Sequence, residues 1–273
     1  KVIEGSGFHE YIVATGLSDS GHELLFVKRT SCTYGRFTLK SVKLIPGKKL
    51  LSPQPRPARK VEIIGDSLAC GFQNETTSSA FLGERHTENG YLAYGPVAAR
   101  LLDAEYRVIA KRAIGVICNL LEDQTGDQPK IRDYYLRETA DSETSAWDFG
   151  AWQPDVVIIV SGAVDYLGYH EYPPQSLYEP AYRQFIALVR EKNPDAHIFC
   201  VAYLDGQSAQ YTRNAVNYMS SLDSKVHLLD GLLPEPWCDP ATDYLPEGTH
   251  LNVQGHNKMG TKIAEGVAAV MGW

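Results

Sequence analysis

Apolar positions change their rhythm about a fifth of the way along the chain. From residue 60 onward, short apolar runs alternate with longer stretches whose apolar residues recur at helical spacing. The runs Val61–Ile64, Arg107–Ala110, Val156–Val160, Ile198–Ala202 and Val226–Leu229 predict five strands. Tyr91–Leu102, Gln175–Lys192, Gln207–Leu222 and Val253–Met271 predict helices between and after them. Strands that are apolar throughout, separated by amphipathic helices, build a mostly parallel sheet covered on both faces, an α/β layout of the flavodoxin-like kind. In such a sheet ligands sit at the carboxyl ends of the strands, so the residues just past each strand are the first candidates for chemistry.

The first 52 residues carry a different pattern. Tyr11–Thr15, Glu23–Lys28 and Arg36–Leu44 are short β-like runs separated by Gly- and Ser-containing turns, which predicts a small antiparallel sheet. Ser52-Pro53-Gln54-Pro55-Arg56-Pro57 then favours stiff, extended backbone, and a junction is expected there: residues 1–52 as one unit, 53–59 as linker and 60–273 as the large domain. No internal repeat is evident.

Charge narrows the partners. With 26 Lys plus Arg against 33 Asp plus Glu, the net charge is -7, and no basic run suggests nucleic acid. No apolar stretch approaches the roughly 18 residues that cross a bilayer. The absence of a charged-then-apolar leader and of an initiator Met reads as a mature or trimmed chain. Cys32, Cys70, Cys118, Cys200 and Cys238 stand singly, without a C-x-x-C pair, so buried free thiols are expected rather than a metal or redox site. His170, His197 and His227 lack metal-ligand spacing, and no cofactor is called for.

Directly after the first strand stands Gly65-Asp66-Ser67-Leu68. Ser67 is placed for a nucleophile, although Asp-Ser is also a common helix cap. Near the other end, Glu247-Gly248-Thr249-His250-Leu251-Asn252 leads into the last helix. A serine hydroxyl attacks a carbonyl only if a base removes its proton, and His250 is the natural base; Glu247 either orients it or is a solvated loop carboxylate.

Gly65-Asp66-Ser67 with Glu247-x-x-His250 resembles the first and last blocks of the SGNH, or GDSL, hydrolases, whose last block is normally Asp-x-x-His. Tyr11-Ile12-Val13-Ala14-Thr15-Gly16-Leu17, Gly21-His22-Glu23, Lys28-Arg29-Thr30 and Gly35-Arg36-Phe37 resemble carbohydrate esterase family two. That resemblance implies a β-sandwich, or jelly roll, ahead of a three-layer SGNH domain. The sandwich here lacks its early strands, which the resemblance puts on a segment outside this one. It further implies a serine esterase acting on O-acyl, chiefly O-acetyl, carbohydrate esters through a Ser67–His250–Glu247 acyl-enzyme, secreted or otherwise outside the cytoplasm.

The resemblance also locates an oxyanion hole, made of the Ser67 amide, a glycine amide and an asparagine side chain. In Arg112-Ala113-Ile114-Gly115, Gly115 is the retained glycine, and the earlier one is Ala113, whose amide could still donate if its φ is negative. In Ser161-Gly162-Ala163-Val164-Asp165, Val164 stands where the family has asparagine, and valine has no donor. Three readings follow: Arg112 or Asn119 fills the gap; the chain is an acyltransferase with an apolar pocket around Val164; or the site only binds carbohydrate. Trp237 is placed to stack on a sugar or to serve as core, and Asp66, Val164 and Asp165 are grouped with it at the substrate cleft, Asp165 ordering its loop. Tyr166 and Tyr169 are further cleft candidates. His256, inside the last helix, is read as structural.

Overall fold

The computed structural model describes residues 5–77, 85–120, 128–140, 142–168, 173–203 and 206–273. Tyr169 and His170 lie outside the described residues.

Five parallel strands, β1 (Arg59–Gly65), β2 (Ala104–Ala110), β3 (Val156–Val160), β4 (His197–Ala202) and β5 (Val226–Asp230), form one sheet in the order β2-β1-β3-β4-β5. This is the expected flavodoxin-like order, with the reversal between β1 and β3. β3 is Val-Val-Ile-Ile-Val, and all of its residues are buried, because helices cover both sides of it. The sheet separates two apolar clusters. One holds Ile63, Tyr94, Ile158, Phe199, Met259 and Ile263; the other holds Ile64, Ile159, Tyr178, Phe185, Ile186 and Val216. Helices α2 (Tyr94–Leu101) and α7 (Val253–Met271) supply the first cluster, and the short α3 (Ile131–Tyr135) with α5 (Gln175–Lys192) and α6 (Gly206–Leu222) supply the second.

The chain separates into two units, Lys1–Val27 with Leu39–Gln54, and Lys28–Thr38 with Pro55–Trp273. The first contains no strand among its described residues, so the expected runs Tyr11–Thr15 and Glu23–Lys28 are not strands, nor is Arg36–Leu44. Ion pairs Lys43–Glu10 (2.6 Å) and Lys48–Asp19 (2.5 Å) bring its parts together. Phe8, Ile12, Leu17, Leu25, Ile45 and Leu50 are nevertheless exposed. Alternation alone does not make a sheet: ordering each residue costs about 1–2 kcal/mol, and this segment buries too little apolar surface to offset it. Residues 28–38 belong with the parallel sheet instead. Arg29 ion-pairs with Glu75 and donates to the Glu88 and His86 carbonyls. The Gly90 amide donates to the Arg29 carbonyl at 2.6 Å.

His256 of α7 is fully buried, and its Nδ1 accepts the Tyr94 amide at 3.2 Å, so the proton sits on Nε2. Burial pushes its pKa down to about 3. Below about pH 6.5 an unfolded chain protonates this histidine while the folded one does not, so its contribution to stability is lost as pH falls. Asp66, Asp165 and Glu62, raised to about 6 by burial, work in the opposite direction. The comparison with His256→Gln isolates the histidine. The variant is the less stable at pH 8, and urea midpoints are expected to converge between pH 6.5 and 4, by up to about 1.4 kcal/mol per pH unit. A gap independent of pH would contradict the assignment.

Candidate active site

β1 ends at Gly65 because nothing larger fits. A Cβ there would stand 2.8 Å from both the Ala69 Cβ and the Tyr94 hydroxyl, and 2.9 Å from the Val160 carbonyl. The close approach lets the chain turn at once into the short helix α1 (Ser67–Cys70). Asp66 caps α1, its carboxylate accepting the Leu68 amide at 3.1 Å. The cap is thus supplied by Asp66, and the Ser67 side chain takes no part in it. Ser67 occupies the first helical position, where its amide makes no intrahelical bond.

His250 comes from a hairpin closed by an antiparallel bridge between Tyr244 and Leu251, with the Leu245 amide donating to the His250 carbonyl at 2.7 Å. Asp243, fully buried, anchors this hairpin by accepting from Lys258 Nζ (2.7 Å), Gln254 Nε2 (2.9 Å) and the Asp239 amide (2.6 Å). Asn252 then caps α7 by accepting the Gly255 amide at 3.0 Å. The loop after α1 is tied to this end of the chain: the Val253 amide donates to the Asn74 carbonyl at 3.2 Å, and the Phe72 ring meets the His250 ring edge-on at 5.0 Å.

Together these elements bring His250 Nε2 to 2.9 Å from Ser67 Oγ and His250 Nδ1 to 2.8 Å from Glu247 Oε1. Glu247 also accepts the His250 amide at 3.1 Å. Burial alone would raise the Glu247 carboxyl, but the hydrogen bonds from His250 and the nearby amides outweigh it and hold it below the usual carboxylate range. An ionised Glu247 fixes the proton on Nδ1, leaving Nε2 as the acceptor that a serine base must present.

Three residues grouped at the cleft turn out to be internal. Asp66, Val164 and Asp165 are 2%, 3% and 0% exposed, so they offer almost no surface to a cleft. Asp165 accepts the amides of Val116 (2.9 Å), Ile117 (2.7 Å) and Cys118 (3.0 Å), ordering the loop after β2. Val164 lies in the first turn of the short helix α4 (Ala163–Gly168) that follows β3. Trp237 is half-buried against the cluster containing Tyr203, Cys238 and Leu251.

The expected oxyanion donor Gly115 also needs correction. Its amide is spent on Asn119 Oδ1 at 3.0 Å. The residue is glycine for a different reason: a Cβ would overlap the Cys118 carbonyl oxygen and come within 2.8 Å of Asp165 Oδ1. Ala113 has φ +61°, so the condition set for its amide is not met. Sequence reasoning missed Phe72 and Asn74, which belong to no motif. They matter only because α7 returns to the loop that follows Ser67.

The GDSL-like Lipase/Acylhydrolase family profile matches residues 63–258, spanning both Ser67 and His250. The chain belongs to this family. This GDSL-family chain is 31% identical over 268 residues to the cellulase/esterase CelE of Acetivibrio thermocellus, a match covering 96% of the chain and 31% of CelE. It is 25% identical over 215 residues to an acetylxylan esterase/glucomannan deacetylase of Cellvibrio japonicus, covering 73% of the chain and 58% of that protein. The GDSL-family chain therefore spans from about a third to under two thirds of the length of these relatives. Among solved structures, it is similar to a family two carbohydrate esterase from Clostridium thermocellum in complex with cellohexaose. The TM-score there is 0.72 and the identity 32%, over 82% of this chain and 68% of that one. A family two enzyme with a carbohydrate binding domain from Corynascus thermopiles (Myceliophthora fergusii) gives a TM-score of 0.71 at 27% identity, over 82% and 69%.

Proposed function

We propose that this chain is a serine esterase that removes O-acyl, chiefly O-acetyl, groups from carbohydrates outside the cytoplasm. The observation that carries the proposal is the continuous Ser67–His250–Glu247 hydrogen-bonded chain at the carboxyl edge of the sheet. The substrate class rests on relatives named as acetylxylan and carbohydrate esterases.

In this reading Ser67 Oγ attacks the ester carbonyl while its proton passes to His250 Nε2. The imidazolium, steadied by Glu247, returns that proton to the departing sugar oxygen. Water, deprotonated by the same nitrogen, then attacks the acyl-serine, releasing the carboxylic acid and restoring Ser67. The Ser67 amide at the start of α1 faces the developing oxyanion. With Gly115 engaged and no side-chain donor at Val164, the hole has fewer donors than the family resemblance implies. Each missing donor costs about 10²–10³ in turnover.

A second reading, transfer of the acyl group to an alcohol in preference to water, passes through the same acyl-serine and the same oxyanion. One experiment addresses both. Acetate release from acetylated xylan and glucomannan is expected for the wild type and lost in Ser67→Ala. Adding a free sugar acceptor diverts the acyl group into a new ester only if transfer is the true reaction. Equal acetate release by both proteins would reject a serine mechanism.

A further inference from the structure

Arg112 plays no part in the chemistry above, yet it stands beside it. Gly65 and Ala110 pair on adjacent strands β1 and β2, and the Lys111 amide donates to the Gly65 carbonyl at 3.4 Å. Ser67 and Arg112 therefore each lie two residues beyond the same rung of the sheet. The Arg112 guanidinium lies over the Phe72 ring, 3.7 Å from its centroid, and the same ring meets His250 at 5.0 Å. Arg112 Nη1 donates to the Tyr34 hydroxyl at 2.8 Å. Tyr34 belongs to residues 28–38, the segment fastened by Arg29.

Glu88 Oε2, at 3.9 Å from Arg112, is too far for a hydrogen bond, and its other oxygen is taken by the Ser31 amide. Arg112 and the buried Glu88 form an ion pair with no hydrogen bond between them, so Glu88 occupies none of the Arg112 N–H donors. The stack and the tyrosine fix its plane, its side chain is 24% exposed, and most of its N–H donors are uncommitted among the described residues. A pre-oriented, partly exposed guanidinium with open donors matches the geometry of a carboxylate.

We propose that Arg112 is a specificity residue that binds a carboxylate carried by the substrate close to the scissile ester, so that the chain prefers acidic acyl esters over neutral ones. The proposal rests on the esterase reading. The carboxylate has two chemical sources: the ring carboxylate of an acidic sugar, or the far end of a dicarboxylic acyl group.

The test compares wild type, Arg112→Gln and Arg112→Lys on two substrate pairs. O-acetylated oligogalacturonides against O-acetylated xylo-oligosaccharides address the sugar, and p-nitrophenyl hemisuccinate against p-nitrophenyl acetate address the acyl group. The wild type is expected to prefer the acidic member of one pair. Arg112→Gln should reduce that preference by about tenfold or more, mainly through KM, with part restored by lysine. A wild type without preference in either pair overturns the proposal. So does an equal loss in kcat on every substrate, which would place Arg112 at the reacting carbonyl. If the wild type hydrolyses none of these esters, the esterase reading has failed separately. Calorimetric titration of Ser67→Ala with oligogalacturonide then decides: weaker binding after adding Arg112→Gln supports the proposal, and unchanged binding overturns it.

Discussion

His250→Ala is expected to lower kcat/KM on p-nitrophenyl acetate by about 10⁴–10⁶, while the protein melts within a few degrees of wild type. The size follows from how the group is used: without a base at 2.9 Å the Ser67 hydroxyl remains protonated, and serine and base fail as a unit when either is removed. The residual rate comes from the amide facing the oxyanion and from substrate binding. Stability is spared because, among the described residues, the imidazole hydrogen-bonds only to Ser67 and Glu247, at the edge of the sheet. Added imidazole should recover part of the activity of the variant. A loss below about tenfold would mean that another group is the base.

Asp165→Ala is expected to produce the largest loss of stability among single changes near the site. The carboxylate is fully buried and accepts the amides of Val116, Ile117 and Cys118. Alanine leaves those N–H groups without this partner, two of them buried and that of Ile117 half-buried, at about 1–3 kcal/mol for each buried one. For a domain of this size each kcal/mol lowers Tm by about 2–4 °C, so a drop of about 10 °C or more should appear in a calorimetric scan. Asp165→Asn, which keeps one acceptor oxygen, should fall between. Any preference for acidic esters should decline along with stability, because the same loop carries Arg112. A melting point within 2 °C of wild type would show that the loop holds itself in place.

Much of this architecture is legible in the chain because it is governed by local pattern. Val156–Val160 is apolar at every position, which only a strand buried on both faces requires, and β3 is indeed central. Gly65-Asp66-Ser67 and His250 stand out in the chain by residue type and spacing, and the fold brings Ser67 Oγ and His250 Nε2 to 2.9 Å. What could not be read was decided at a distance or by backbone direction. Gly115 looked like an oxyanion donor from its block, but its amide direction is set by the local dihedrals and by Asn119 four residues on. Asp165 and Val164 are near Ser67 in the fold but beneath the surface, and burial of individual side chains past a strand end has no sequence signature. The alternating runs of the first 52 residues promised strands, yet alternation specifies a face and not a partner.

Acyl transfer to Ser67 is the central step of the proposed reaction. Rapid quenching of the wild type with p-nitrophenyl acetate, followed by peptide mass spectrometry, should find the acetyl group on Ser67, with no such adduct in Ser67→Ala. An acetyl group on a different residue, or equal labelling of both proteins, would contradict it.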